Sequence, residues 1–89
     1  MVWRIELTED AKHALAKLDK PVARRITAFL KVRVASLDDP RSVGQALRGS
    51  KLGDFWKYRV GDYRVVCSID DGVVQIVVIK IGHRGDVCR

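Results

Sequence analysis

From Phe55 to Ile69 the chain alternates with period two, interrupted once by Gly61-Asp62. Alternation of this kind predicts two strands, and a glycine first in a two-residue loop predicts a tight hairpin between them. With Gly61 and Asp62 as the loop, Val60 faces Tyr63, Arg59 faces Arg64, Tyr58 faces Val65 and Lys57 faces Val66. Trp56, Tyr58, Val60, Tyr63, Val65 and Cys67 then share one face, and Lys57, Arg59 and Arg64 share the other.

The rest of the pattern supplies the layers around this hairpin. Residues 2–7, VWRIEL, alternate and suit a half-buried strand. Thr8 stands at a helix N-cap position, followed by Glu9 and Asp10, whose charges favour a first helical turn. Ala11, Ala14, Leu15 and Leu18 line one narrow stripe of that helix, and His13 falls off it as a surface residue. Asp19-Lys20-Pro21 breaks the pattern, with Pro21 placed to open a second helix. That helix is expected to run to about Leu37, with Val22, Ile26, Phe29, Leu30, Val34 and Leu37 on its apolar stripe. Asp38-Asp39-Pro40 ends it, and the segment up to Gly53 reads as loop anchored by Leu47 and Leu52. Asp70-Asp71-Gly72 is a second turn, leading into Val73–Ile81, a run apolar on both faces that reads as a central strand. The tail GHRGDVCR is short, polar and basic.

These elements predict an α+β fold: an N-terminal strand, a helical hairpin, then a three-stranded antiparallel meander, with the helices packed on one face of a small sheet. The covered face is expected to be the one with Trp56, Tyr58 and Val65, leaving Lys57, Arg59 and Arg64 on an open face.

Composition narrows what such a fold can do. With 89 residues, 47% of them hydrophobic, residues 1–89 form one domain with a single modest core. Seventeen Lys and Arg against eleven Asp and Glu give a net charge of +6, which suits a polyanionic partner such as nucleic acid or an acidic protein. MVWRIEL is no signal peptide, and no segment reaches membrane-spanning length, so a cytoplasmic protein without a membrane partner is expected. Cys67 and Cys88 are too few and too far apart for a disulfide framework or zinc site, and neither a metal nor a cofactor is expected. Cys67 should point into the core beside Val65.

Like charges directly opposite each other destabilise a sheet, so Arg59, Arg64 and Lys57 together point to an anion. The structural alternative is that the arginines pair with Asp54, Asp62 or Asp86. Arg24, Arg25, Lys31 and Arg33 decorate the second helix either as a solvated face or as an RNA contact; Arg41, Arg48 and Lys51 extend the basic set into the following segment.

The segment LRGSKLGDFWKYRVGDYRVVCSID and the closing IGHRGDVCR, in this order of elements, resemble the RelE toxins of the RelE/ParE superfamily of bacterial toxin-antitoxin modules. The resemblance covers essentially the whole chain. It implies a type II toxin that cuts messenger RNA in the ribosomal A site without a metal and is neutralised by a RelB-like antitoxin, binding operator DNA only as the toxin-antitoxin complex. Carried across motif by motif, Lys57 and Arg59 match the basic positions on the first hairpin strand, Arg64 the arginine on the second, and Arg84 the basic residue of the final motif, with His83 beside it. Arg24, Arg25, Lys31, Arg33, Arg41, Arg48 and Lys51 are the candidate ribosome and RNA contacts.

The implied chemistry suits these side chains. Attack of a ribose 2′-hydroxyl on the adjacent phosphate gathers negative charge on the phosphorane oxygens, which preorganised cations stabilise. Arginine stays protonated and serves as a charge clamp, whereas Lys57 can exchange a proton if neighbouring cations depress its pKa. The chain departs from the family at its end: Val87-Cys88 stands where a Val-Tyr pair is usual, and a thiol beside cations ionises more readily than usual but lacks the aromatic surface. Cys88 is therefore either a natural variant with altered activity, a disarming substitution or a tail residue without a role. Competing functions are a ParE-like toxin acting on DNA gyrase, and a catalytically impaired module that only docks an antitoxin and operator DNA.

Overall fold

A computed structural model describes residues 2–47 and 55–83. Strand β1 (Arg4–Leu7) leads into helix α1 (Glu9–Ala16) and helix α2 (Lys20–Ala28), which continues as a π-helical segment, Phe29–Val34. A 3-10 turn at Pro40–Ser42 and a two-residue strand β2 (Gln45–Ala46) precede β3 (Phe55–Val60), β4 (Tyr63–Asp70) and β5 (Gln75–His83). The five strands form one sheet in the order β1-β5-β4-β3-β2.

The hairpin forms in the expected register: Val60 opposes Tyr63, Arg59 opposes Arg64, Tyr58 opposes Val65 and Lys57 opposes Val66. Gly61 has φ +60° and Asp62 lies outside the positive-φ region, the backbone of a type II′ turn. The α+β class, the N-terminal strand and the meander are all present. Beyond them the sheet gains two edges: β1 joins β5 in parallel, and β2 joins β3 antiparallel inside the segment expected to be loop. Leu52 and the rest of residues 48–54 lie outside the described residues.

Three boundaries move. Helix α2 starts at Lys20, one residue before Pro21, and its π continuation stops at Val34 rather than near Leu37. Strand β5 starts at Gln75 rather than Val73, because Asp71–Val74 turn and Val74 takes φ 53°. It also runs on through Gly82 and His83, residues assigned to the polar tail.

The core forms between the helices and the sheet face expected to be covered. Trp3, Ala11, Ile26, Leu30 and Val34 meet Tyr58, Val65, Cys67, Ile76, Val78 and Ile81, all buried. Ile76 and Val78 are even-numbered and Ile81 is odd-numbered, so strict alternation would send Lys80 rather than Ile81 inward. A β-bulge resolves the conflict: Val66 pairs with Lys80 and Cys67 with Val78, skipping Ile79. Thr8 ties the bulge to α1. Its backbone N–H donates to the Val78 carbonyl (3.0 Å), its hydroxyl donates to the Ile79 carbonyl (3.1 Å), and its Oγ1 accepts from Ala11 N–H (3.1 Å) as the N-cap.

The opposite face is not fully open. At one end of it Leu47 and Val66 are buried with Phe55 packed against them, a small second cluster that covers the face beyond Lys57. The basic residues occupy the other end.

Candidate functional site

The site begins with a close approach of backbone to backbone. Gly44 has φ +82°, and a Cβ there would stand 2.5 Å from the Lys57 carbonyl oxygen and 2.6 Å from Trp56 Nε1. Only glycine permits that approach, which lets β2 pair with Trp56 and Lys57 while the Trp56 indole N–H donates to the Val43 carbonyl at 2.7 Å. Pairing stops there, and the edge of β3 from Tyr58 to Val60 has no strand partner among the described residues.

Along that edge opens a cleft of about 500 Å³. Lys57, Arg59 and Arg64 form one side, the Val43–Gln45 backbone a second, and Phe29 and Arg33 of the π-helical segment the third. Tyr58, fully buried, forms the base: its hydroxyl donates to the Pro40 carbonyl at 2.6 Å and its ring meets Phe29 edge-on, centroids 5.9 Å apart. Burial pushes the Tyr58 phenol well above its ordinary value, so it stays neutral.

Charge is concentrated here. Arg59 and Arg64 oppose each other directly, and Arg64 is flanked on β5 by Gly82, which offers no side chain to crowd it. Arg64 Nη1 donates to the Tyr63 carbonyl at 3.4 Å. Among the described residues no carboxylate forms an ion pair with Lys57, Arg59, Arg64 or Arg33; the described ion pairs are Lys12–Glu9 and Arg41–Asp71. Asp62 therefore does not neutralise the hairpin arginines, and Asp54 and Asp86 lie outside the described residues. Among the described residues no group of His, Cys, Asp and Glu is placed to hold a metal.

The other candidates scatter. Arg25 lies over the hairpin turn, its Nη1 3.0 Å from where a Cβ on Gly61 would stand. Lys31 borders a small crevice with Leu7 and Leu15, and Arg24 is exposed on α2, neither of them lining the cleft. Arg41 is engaged by Asp71 at 3.0 Å. His83 is opposite Tyr63 on the helix-covered side, with ring centroids 5.6 Å apart, so the bulge has carried it away from the face of Arg64. Arg48, Lys51, Arg84 and Cys88 lie outside the described residues. His13 is exposed and Cys67 fully buried, as expected.

Two cleft residues stand where the sequence pattern puts them, Phe29 packed against the core and Arg33 exposed on the helix surface, but the pattern does not show that both also border the cleft. Their spacing of four residues, which puts them on one helical face, is the only local signal that they act together.

Helices over one face of a five-stranded sheet are also the fold of a class of small toxins. A family model described as the ParE toxin of the type II toxin-antitoxin system parDE matches residues 5–87. Toxin RelG of Mycobacterium tuberculosis is 29% identical over 89 residues, covering 100% of this chain and 99% of RelG. Toxin RelE of the same organism is 33% identical over 82 residues, covering 92% of this chain and 81% of that toxin. Among solved structures, the toxin-antitoxin complex RelBE2 from M. tuberculosis contains a chain that superposes with a TM-score of 0.85 at 27% identity, over 97% of this chain and 95% of that one. The chain belongs to the RelE/ParE superfamily of type II toxins, and these relatives are of the RelE type. No described helix is long and apolar enough to cross a membrane.

Proposed function

We propose that this toxin is a ribosome-dependent endoribonuclease that cuts messenger RNA in the A site. The observation that carries the reading is the convergence of Lys57, Arg59 and Arg64 on one side of an open cleft, with no described carboxylate paired to them. Mutual repulsion makes this arrangement costly for a protein with no anion to bind. A scissile phosphate is the anion that fits.

In the proposed reaction the 2′-hydroxyl oxygen attacks the adjacent phosphorus, its proton leaves, the bond from phosphorus to the 5′-oxygen breaks, and that oxygen is protonated. The products are a 2′,3′-cyclic phosphate and a 5′-hydroxyl. Arg59 and Arg64 supply planar, bidentate donors to the non-bridging oxygens, where charge builds in the transition state. Lys57 is a compact cation with three donors, able to follow the charge as it moves to the leaving oxygen. Arg84, His83 and Cys88 belong to this reading as candidates from the terminal motif. Arg24, Arg25, Lys31, Arg48 and Lys51 belong to it as contacts to ribosomal RNA, each adding a modest, salt-dependent increment.

The partner follows from the relatives: a chain with this fold has been solved within a toxin-antitoxin complex, and we assign this toxin a RelB-like antitoxin that neutralises it. Operator DNA is then a ligand of the pair and not of the toxin alone.

Primer extension on a message translated by programmed ribosomes tests the reading. Cuts at A-site codons with the wild-type protein, lost in Arg64→Ala, are the expected result. The ParE description of the matching family model favours a second reading, action on DNA gyrase. Gyrase-dependent DNA breaks with an intact message would establish that one and overturn the nuclease. In the same assay Cys88→Tyr reports whether the terminal position matters to the rate.

A further inference from the structure

The cleft has a side that phosphate chemistry alone does not require. On the helix side of the same sheet edge stands Phe29, an aromatic ring held in place and only half-buried, with Arg33 four residues further along the same segment. We infer that this side binds a nucleobase: Phe29 is a stacking wall for one base of a single RNA strand, and Arg33 is a fourth cation for its backbone.

The helix geometry is what delivers both residues. On an ideal α-helix, positions four apart drift by about 40° per step, so Ile26, Leu30 and Val34 span about 80° and fit one apolar stripe. All three are buried, at 0%, 2% and 0% exposure. The second half of the helix widens into a π-turn, in which Ala35 N–H donates to the Leu30 carbonyl at 3.0 Å, five residues back. Phe29 and Arg33, four residues apart within this segment, share a helical face and both border the cleft. π-Turns are uncommon and are frequent at functional sites.

Phe29 is also anchored as a platform should be. One side of its ring rests against Tyr58 at an interplanar angle of 65°, and Tyr58 is itself fastened to the Pro40 carbonyl. The ring packs against the core but is not enclosed by it, and it lines the cleft that Lys57, Arg59 and Arg64 also line. An aromatic surface beside a row of cations is how proteins hold single-stranded nucleic acid, with bases stacked and phosphates neutralised. An acidic peptide would use the cations but gains nothing specific from a stacking surface.

This inference rests on reading the cleft as the RNA site, and the experiment separates the two. Equilibrium binding is measured to a short, uncleavable 2′-O-methyl RNA and to versions carrying one abasic position, using the full chain and its Phe29→Leu, Phe29→Trp and Arg33→Gln variants. Near-ultraviolet circular dichroism and the urea midpoint confirm that each variant is folded. The expected results are a loss on the order of tenfold in Phe29→Leu, retention in Phe29→Trp, and one abasic position that weakens wild-type binding but not Phe29→Leu binding. Arg33→Gln should instead lower the salt slope by about 0.7, independently of the base. An equal abasic penalty in wild type and Phe29→Leu, no measurable RNA binding, or a Phe29 effect confined to an acidic peptide would each overturn the inference. Base-dependent binding without message cleavage on ribosomes would sustain it and sink the nuclease reading alone. Cleavage whose binding ignores Phe29 would do the reverse.

Discussion

Arg59 and Arg64 stand directly opposite each other across the β3–β4 hairpin, on the side of the sheet away from the helices. A like-charged pair at opposed positions subtracts from sheet stability and adds to anion binding, so stability and activity should move in opposite directions when it is broken. Arg64→Gln is expected to raise the unfolding free energy by about 0.2–1 kcal/mol. The same change should lower the rate of message cleavage on programmed ribosomes by about 100-fold or more. Urea unfolding and primer extension on one protein preparation check both halves.

Gly44 is where the cleft wall depends on a missing side chain. Gly44→Ala forces a Cβ into a positive-φ residue 2.5 Å from the Lys57 carbonyl oxygen. The expected cost is about 2–4 kcal/mol, read as a lowered thermal midpoint. An unchanged midpoint would mean that β2 does not lie on β3 as described.

Tyr58 and Pro40 form the buried hydrogen bond under the cleft, and Tyr58→Phe leaves the Pro40 carbonyl oxygen without it. We expect a loss of about 1–3 kcal/mol in urea unfolding. The phenol's folded pKa is raised above the ordinary 10.0, chiefly by burial. Its contribution is therefore complete below pH 10 and is lost as pH rises. In a Tyr63→Phe background, phenolate absorbance should appear only as the protein unfolds in alkali.

Cys67 is fully buried, and burial pushes its thiol up to about 12 from an ordinary 9.0. A Cys88→Ser variant should show no reactive thiol in the native state at mildly alkaline pH, and one after denaturation. Because the folded value is the higher one, this group also contributes stability that is complete below pH 9 and lost as pH climbs toward 12. A native thiol that reacts at the rate of a free cysteine would place Cys67 outside the core.

Arg41 and Asp71 join the 3-10 turn to the β4–β5 turn at 3.0 Å. The guanidinium holds the Asp71 carboxyl below its ordinary 3.8. Whatever the pair contributes is present above that pH and lost as pH falls through the lower folded value. Asp71→Asn should therefore differ from wild type only at neutral pH and low salt, and the two melting curves should coincide in strong acid or at high salt.

The elements that the sequence alone determined are those whose causes are local. Gly61-Asp62 and the alternation around it specify both the turn and the register, so the meeting of Arg59 with Arg64 was legible before any fold was known. Thr8 was legible as a cap for the same reason: it acts on Ala11, three residues away. The interior place of β5 followed from an apolar run with no polar face, and the covered face followed from Trp56, Tyr58 and Val65.

Only the tertiary structure decided the rest, because its causes lie between residues far apart in the chain. The Ile79 bulge exists because Val78 and Ile81 must both reach one core, and no property of VVIKI alone says which residue is skipped. That choice then turns His83 toward Tyr63 and away from Arg64. The parallel pairing of β1 with β5, the two residues of β2 beside β3 and the π-turn after Ala28 are likewise settled by which surfaces must be buried against each other. The hairpin cations belong to the sequence; the place of Phe29 at the border of their cleft belongs to the packing of a helix against a sheet.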